Sequence, residues 1–197
     1  DIFSKFNISI NKIICSSYAK SINYKNNLNL TDYVSFIDVG FNKTSIVSYF
    51  NNKILSLEVL PVGGNNITKD ISKILEKDLN LSEKLKKSFD QNNMISNNHD
   101  FSFETLQKII FARTEEILEL SFNSLGSNLD MMGQFNMVLM GEGAKILDNQ
   151  YTNQISFAKV IDFLEETPED ICRSGFNYLT KLNNQEVIMI PKKRIKQ

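Results

Sequence analysis

Asp38 closes an apolar run of the sequence, and Gly40 interrupts the chain directly after it. A carboxylate at the tip of a buried strand, followed by a turn with outward-facing backbone N–H groups, is a suitable place for a phosphate and its metal ion. An ordinary hairpin in which Asp38 stabilises its own turn explains the same pattern, and for this stretch alone it is the favoured interpretation. The choice depends on what else the fold brings to the same place.

Glycine-containing turns occur at two further positions. Gly63 and Gly64 precede a helical pattern, and Gly141 and Gly143 follow the apolar run at 135–140. Such turns present backbone amides and a helix dipole to an anion, and glycine lets the backbone approach it closely. Three turns in this order are evidence for a nucleotide-binding cradle, which a single glycine pair would not provide.

Glu83 and Lys86 lie one helical turn apart on a predicted helix. Such a pair could hold a ribose hydroxyl through its carboxylate and contact the sugar or base through the lysine stem. A surface ion pair contributing about 0.3 kcal/mol explains the same spacing, and from spacing alone it is the better interpretation.

The composition is that of a globular protein able to bury a core, with 197 residues of which 42% are hydrophobic. The formal net charge of −1 gives no general attraction for nucleic acid, and the basic cluster at 192–196 is interpreted as a solvated tail. Cys15 and Cys172 lack the spacing of metal ligands and are predicted to be buried in a reducing cytoplasm. The single histidine, His99, argues against a catalytic triad.

Apolar alternation and apolar runs predict six strands, at 7–15, 34–38, 44–50, 54–60, 135–140 and 155–160. The asparagines at 51 and 52 indicate a tight turn, so the second, third and fourth strands are expected to form an antiparallel meander. Phe36, Val47 and Leu57 are among the residues expected to face helices.

Helical patterns lie between and after the strands. Short helices are expected after Ser16, from about Asn66 and near Ser82, and a long helix is expected at 103–125. Thr167 and Pro168 begin the last helix, whose inner face is predicted to be formed by Ile171, Gly175, Phe176 and Leu179.

Five segments taken together resemble the C-terminal half of the bacterial cell division protein FtsA, an actin-like ATPase family. They are 38–46 (DVGFNKTSI), 62–71 (VGGNNITKDI), 82–86 (SEKLK), 109–117 (IIFARTEEI) and 138–144 (VLMGEGA). The resemblance implies an α/β fold, the actin-like (ribonuclease H-like) ATPase fold, with a five-stranded mixed sheet flanked by helices. It also implies a nucleotide-side subdomain at 1–81 and 126–197, a small outer subdomain at 82–125, and an N-terminal half outside this sequence.

By the same resemblance, Asp38 belongs to the second phosphate loop and helps to position Mg²⁺ indirectly. ATP contacts are implied for Asp38, Gly40, Asn42, Lys43, Thr44, Gly63, Gly64, Asn65, Glu83, Lys86, Gly141, Glu142 and Gly143. Arg113 and Glu116 fall in the outer subdomain, which in the family contacts the tubulin-like protein FtsZ. The family also implies self-association into actin-like filaments and a place at the inner face of the cell membrane at the division site, through a C-terminal amphipathic helix that is expected either outside this sequence or lost.

The sequence departs from the family at Phe41 and Asn42, where glycines are usual, and at Glu142, which replaces a glycine. Because phosphoryl transfer needs cationic groups on both sides of a triphosphate, we expect no ATP hydrolysis from this half alone. Three alternatives stay open: a PilM-like actin homologue of type IV pilus assembly, half of an actin-fold kinase, and a degenerate member that binds partners without nucleotide.

Overall fold

The computed structural model describes residues 2–10, 12–28, 33–89, 102–125, 136–146, 159–164 and 166–181. Within these residues one mixed sheet contains β1 (Val34–Val39), β2 (Thr44–Phe50), β3 (Lys53–Leu60), β4 (Asn136–Met140) and β5 (Lys159–Leu164). Its strand order is β3-β2-β1-β4-β5. The helices are α1 (Ser16–Leu28), α2 (Gly64–Ile74), α3 (Leu79–Lys87), α4 (Phe103–Asn123) and α5 (Pro168–Lys181).

The first three strands form the predicted antiparallel meander. β1 pairs with β2, and β2 pairs with β3, in antiparallel registers. Asn51 and Asn52 have φ angles of 48° and 66°, the left-handed conformation that a two-residue hairpin turn requires. β4 and β5 then add to the other side of β1 as parallel strands, so the carboxyl ends of β1 and β4 lie at the same edge.

Alternate residues of β1 pack on opposite faces of the sheet. Ile37 and Val39 join one hydrophobic cluster with residues of α2, α3 and α4, whereas Val34 and Phe36 join a second cluster that α1 covers. Asp38 has the same parity as Val34 and Phe36, so its side chain lies on the α1 face. This parity decides which charged groups can reach it.

The long helix α4 shares its core with the sheet. Its buried residues Leu106, Ile110 and Ile117 belong to the same cluster as Ile37, Ile46 and the buried residues of α2 and α3. The α4 residues therefore pack directly on the sheet. The division of the chain into an outer subdomain at 82–125 and a nucleotide-side subdomain stays a prediction.

The predicted strand at 7–15 is wrong, because residues 8–10 and 12–15 lie in neither a strand nor a helix. Ile8, Ile10 and Ile13 are exposed by 53%, 44% and 87%. A strand needs a neighbour to satisfy its backbone groups, and no described strand pairs with this segment, since β3 and β5 form the two edges of the sheet.

Several burial predictions are also wrong. Cys15 and Cys172 are exposed, and Leu57 is 40% exposed because no described helix covers the edge strand β3 on that face. On α5, Ile171 and Phe176 are exposed, and the helix instead turns Ser174 and Tyr178 towards α1.

α1 is longer than predicted and extends through the polar residues to Leu28. Tertiary contacts support this polar half, because the Lys25 ammonium donates to the Asn52 carbonyl at 3.0 Å and lies 4.6 Å from the centre of the Tyr49 ring. Of the strand predicted near 155–160, residues 159 and 160 begin β5, and 155–158 lie outside the described residues. His99 and the basic cluster at 192–196 lie outside the described residues. No described helix is both long and apolar enough to cross a membrane.

Candidate nucleotide site at three glycine turns

The turn between β1 and β2 is tightly closed. The Gly40 N–H donates to the Lys43 carbonyl at 2.9 Å, and Thr44, which is buried, donates its hydroxyl to the Val62 carbonyl at 2.8 Å. Phe41 at the tip is 58% exposed, and the N–H groups of Phe41 and Asn42 make no hydrogen bond within the described part of the chain. The tip therefore keeps amides that an anion could use.

The Gly63–Gly64 turn packs directly against this hairpin. The N–H of Gly64 donates to the Gly40 carbonyl at 2.9 Å, and that of Asn65 donates to the Phe41 carbonyl at 2.7 Å. The Asn65 side-chain amide also donates to Asn42 at 2.9 Å. A Cβ on Gly63 would lie 2.5 Å from the Gly40 oxygen, so only glycine fits there. These amides hold the two turns together and do not point at a ligand.

The third turn completes the arrangement. Gly141 has a φ of +92°, and a Cβ there would lie 2.5 Å from the Asp38 carboxylate. A Cβ on Gly143 would lie 2.6 Å from the Val39 side chain, and one on Gly64 would lie 3.7 Å from the Gly143 Cα. The structure thus brings all three predicted turns together beyond the carboxyl ends of β1 and β4, where open α/β sheets bind ligands. Glu142 is exposed and pairs with Lys145 at 2.9 Å.

Lys86 lies at the border of this cradle and is buried. Its ammonium donates to the Gly64 carbonyl at 3.0 Å, the Thr68 hydroxyl at 2.8 Å and the Glu83 carboxylate at 2.6 Å. It also lies 5.9 Å from the centre of the Phe41 ring. The pair that spacing alone assigned to the surface is therefore a buried network at the α2–α3 junction.

The Glu83 carboxylate carries its charge within this network. Burial raises the pKa of Glu83, but hydrogen bonds from Lys86 and Thr68 and the charges of Lys86 and Lys87 outweigh that effect, so the net pKa lies below its ordinary value. Glu83 consequently stays ionised and fixes the position of the Lys86 ammonium.

Asp38 is paired with a cation that the sequence analysis missed. The Asp38 Oδ2 accepts from the Ser17 hydroxyl at 2.6 Å and lies 2.8 Å from the Lys20 Nζ. The same ammonium donates to Glu166 at 2.7 Å. The one available signal in the sequence is that Ser17 and Lys20 lie one turn apart on α1. This spacing does not identify their partners Asp38 and Glu166, because both are distant in sequence.

Among Ser17, Lys20, Asp38 and Glu166, only Glu166 has a buried oxygen that lacks a hydrogen-bond partner among the described residues. Its Oε1 atom is buried without a hydrogen bond of normal geometry among the described residues. Burial raises the pKa of Glu166, as does the nearby Asp38 charge, although Lys20 and Tyr24 act in the opposite direction. Burial and the charges of Glu166 and Asp170 raise the pKa of Tyr24 to about 12, so this phenol stays protonated.

A magnesium ion coordinated directly by the Asp38 Oδ2 does not fit these contacts, whereas the indirect role expected of Asp38 stays a prediction. No group of three histidine, cysteine, aspartate or glutamate side chains within the described residues is arranged to hold a metal ion. The Asp38 carboxylate already has an ammonium and a hydroxyl on one oxygen, and a Cβ on Gly141 would stand 2.5 Å from the other.

The predicted partner-binding residues on α4 are partly engaged within the chain. The Arg113 guanidinium donates to both carboxylate oxygens of Asp70 on α2, at 2.5 and 3.1 Å, and to Glu116 at 2.5 Å. The hydrogen bonds that Arg113 donates to Asp70 raise the pKa of Arg113. Arg113 therefore fastens α4 to α2, whereas the Glu116 side chain is 49% exposed.

Comparison with known proteins gives one family. The family described as "Cell division protein FtsA" matches residues 35–147, more than half of the 197 residues. A curated relative of that name from Bacillus subtilis (strain 168) is 37% identical over 109 residues, which are 48% of this chain and 25% of the relative. This chain therefore aligns with only about a quarter of that relative's length.

Solved structures agree on the fold. MreB5 of Spiroplasma citri bound to ADP matches with a TM-score of 0.67 at 16% identity, over 92% of this chain and 65% of that one. An archaeal actin homologue matches with a TM-score of 0.60 at 14% identity, over 85% and 54%. The PilM–PilN type IV pilus biogenesis complex gives a TM-score of 0.60 at 16% identity, over 87% and 51%. At such identities the likeness shows the fold, which is actin-like.

Proposed function

This chain belongs to the FtsA family of cell division proteins, and we propose that it supplies one side of an adenine-nucleotide cleft in an actin-like protein of the division site. The observation that carries the proposal is the convergence of three glycine turns at the carboxyl ends of β1 and β4. The backbone amides at the β1–β2 tip, which make no hydrogen bond within the described residues, and the Lys86 ammonium supply positive charge at this place.

In this proposal each residue has a limited task. The glycines let the three turns pack against one another and so shape the cradle, Lys86 contributes a fixed cation at its border, and Glu83 and Thr68 hold that cation in place. A triphosphate supplies the transferable phosphoryl group when it is bound. Hydrolysis needs groups on the opposite side of the cleft, so we expect no measurable turnover from this chain alone.

Gly64→Ala tests the nucleotide site. A Cβ there meets the Lys86 Nζ, the Gly143 Cα and the Gly40 oxygen only at 3.6–3.7 Å, so the fold tolerates the methyl group while the gap between the turns narrows. We expect unchanged thermal stability and about tenfold weaker binding of a fluorescent ATP analogue, measured by anisotropy.

Gly175→Ala is the matched control, because a Cβ there meets nothing within 4 Å and Gly175 lies on α5, away from the turns. It should leave nucleotide binding unchanged. Equal binding by the wild type and Gly64→Ala would contradict the proposed site. Failure of the wild type to bind any nucleotide would favour a degenerate member that binds only partners.

For the partner, we propose that the exposed part of α4 contributes to a surface for FtsZ, and that the full protein links FtsZ filaments to the cytoplasmic face of the membrane. Glu116→Lys is a sharper test than Arg113→Glu, since the latter would also break the contact with Asp70. We expect Glu116→Lys to weaken FtsZ co-sedimentation about tenfold through charge reversal at the interface.

Glu104→Lys is the control for the same change of charge. Glu104 is also exposed on α4, where it pairs with Lys108. It lies about three helical turns from Glu116. Equal loss of FtsZ binding in both variants would indicate a general charge effect and would remove Glu116 from the surface. A PilM-like function is supported only by the likeness of fold, and the family match favours FtsA.

A further inference from the structure

A buried charge cluster lies on the α1 face of the sheet, directly behind the glycine turns. It consists of Lys20, Asp38, Glu166 and Ser17, and it is referred to below as the Lys20 cluster. Lys20 and Glu166 have side chains that are each 4% exposed, and that of Asp38 is 11% exposed. Two carboxylates at this depth require a cation, because an unpaired buried charge is strongly unfavourable.

The Lys20 ammonium meets that requirement from within the chain. It lies 2.8 Å from the Asp38 Oδ2 and 2.7 Å from the Glu166 Oε2, so one positive charge bridges both carboxylates. α1 holds the ammonium there: Ser21 and Ala19 are buried beside it, and the Ser17 hydroxyl one turn earlier donates to the same Asp38 oxygen.

A divalent ion at Asp38 would compete with this arrangement. Its positive charge would lie within a few ångströms of the ammonium, where like charges repel strongly in a poorly solvated environment. The other Asp38 oxygen lies close to Gly141, where a Cβ would stand 2.5 Å from it. An ion could coordinate Asp38 Oδ2 and Glu166 together only if the ammonium moved away.

We propose that Lys20 is the built-in cation of this site, bridging Asp38 and Glu166 where a divalent ion would otherwise bind, so that Asp38 recruits no Mg²⁺. Lys20 thereby determines the metal dependence of the cleft. The role of Lys20 in the cleft rests on the proposed nucleotide site, whereas metal binding at Asp38 can be measured without nucleotide.

Mn²⁺ binding to the chain without nucleotide tests the proposal by electron paramagnetic resonance, which reports free Mn²⁺. The wild type should leave the free-ion signal unchanged. Lys20→Met frees two carboxylates and should lower the free Mn²⁺ signal, with an affinity at least about tenfold above the detection limit that the wild type does not reach. The double variant Lys20→Met/Asp38→Asn should lose that gain.

Lys25→Met is the matched control, since Lys25 is also a buried lysine of α1 but contacts the Asn52 carbonyl and the Tyr49 ring. It should bind no more Mn²⁺ than the wild type. Mn²⁺ binding by the wild type that Asp38→Asn abolishes would overturn the proposal, and so would a folded Lys20→Met variant that binds no better than the wild type.

If Lys20→Met does not fold, chemical labelling of the wild type decides the question. Acetylation followed by mass spectrometry should show Lys20 reacting far more slowly than Lys108, whose side chain is 74% exposed. Millimolar Mg²⁺ should leave the Lys20 rate unchanged, and a clear rise would show that the ion displaces the lysine. Because no nucleotide is present, a failed nucleotide-binding experiment leaves these outcomes intact.

Discussion

At the scale of single residues, the chemistry of this site depends on which charges are fixed by burial. Lys86 is buried with three acceptors around it, and the Glu83 carboxylate is the one that carries charge. Lys20 has two carboxylates and is buried to a similar degree. The cleft edge therefore has two lysines with different tasks, one beside the glycine turns and one behind Asp38.

The lowered pKa of Glu83 predicts a pH dependence of stability. A carboxylate whose folded-state pKa lies below its unfolded value stabilises the fold above the unfolded pKa, and this contribution disappears as the pH falls through the folded pKa. With an ordinary value of 4.5, the contribution of Glu83 is present at neutral pH and is lost below about pH 4.5.

Glu83→Gln should therefore lower the free energy of unfolding at neutral pH and give a flatter loss of stability on acidification, measured by urea denaturation across the acid range. Glu115→Gln changes the same charge at an exposed position of α4 and should leave the profile near that of the wild type. Identical acid profiles for Glu83→Gln and the wild type would contradict the network around Lys86.

At the scale of elements, the turns and helix starts determine where the charged groups stand. α5 begins with a reciprocal cap: the Asp170 N–H donates to the Thr167 hydroxyl at 3.2 Å, and the Thr167 N–H donates to the Asp170 carboxylate at 3.0 Å. Glu166 immediately precedes this cap, so the start of α5 fixes the residue that reaches Lys20.

Thr167→Ala should lower the free energy of unfolding by about 1 kcal/mol, because a helix N-terminal donor loses its acceptor. Thermal unfolding followed by circular dichroism measures the loss. Thr180→Ala, the same substitution near the end of α5, removes only a hydrogen bond to the Asn177 carbonyl and gains helix propensity. Thr167→Ala that is as stable as Thr180→Ala would show that the cap contributes nothing.

At the scale of the whole molecule, the sheet has an uncovered edge. Ile54, Leu55, Leu57 and Val59 on β3 are 39%, 44%, 40% and 50% exposed, while α1 covers the residues of β1 and β2 on the same face. An apolar edge strand with unpaired backbone groups promotes self-association. Within the described residues these side chains belong to neither hydrophobic cluster.

Leu57→Lys should reduce self-association and lower the fluorescence of a dye that binds exposed apolar surface, because it places a charge in the middle of this edge. Size-exclusion chromatography over a range of concentrations provides the second measurement. Ile74→Lys is the control, since Ile74 is 57% exposed on α2 and lies away from the strand. An equal effect of both variants would remove any special role from β3.

The sequence by itself determined the parts of the structure that depend on neighbouring residues. The Asn51–Asn52 turn, the strands on either side of it, the long α4 and the capped start of α5 all follow from local patterns. The order of the three glycine turns also indicated their convergence, because the carboxyl ends of parallel strands meet at one edge.

Only the tertiary structure decided which partner each charged residue receives. Lys20 looked like a polar residue of a short helix, yet it reaches Asp38, which is 18 positions away, and Glu166, which is 146 positions away. Alternation at 7–15 predicted a strand that finds no described neighbour, and apolar residues of β3 predicted burial on a face that no described helix covers. Strand pairing and side-chain burial each require two segments to meet. A local sequence pattern describes one segment and does not identify the other.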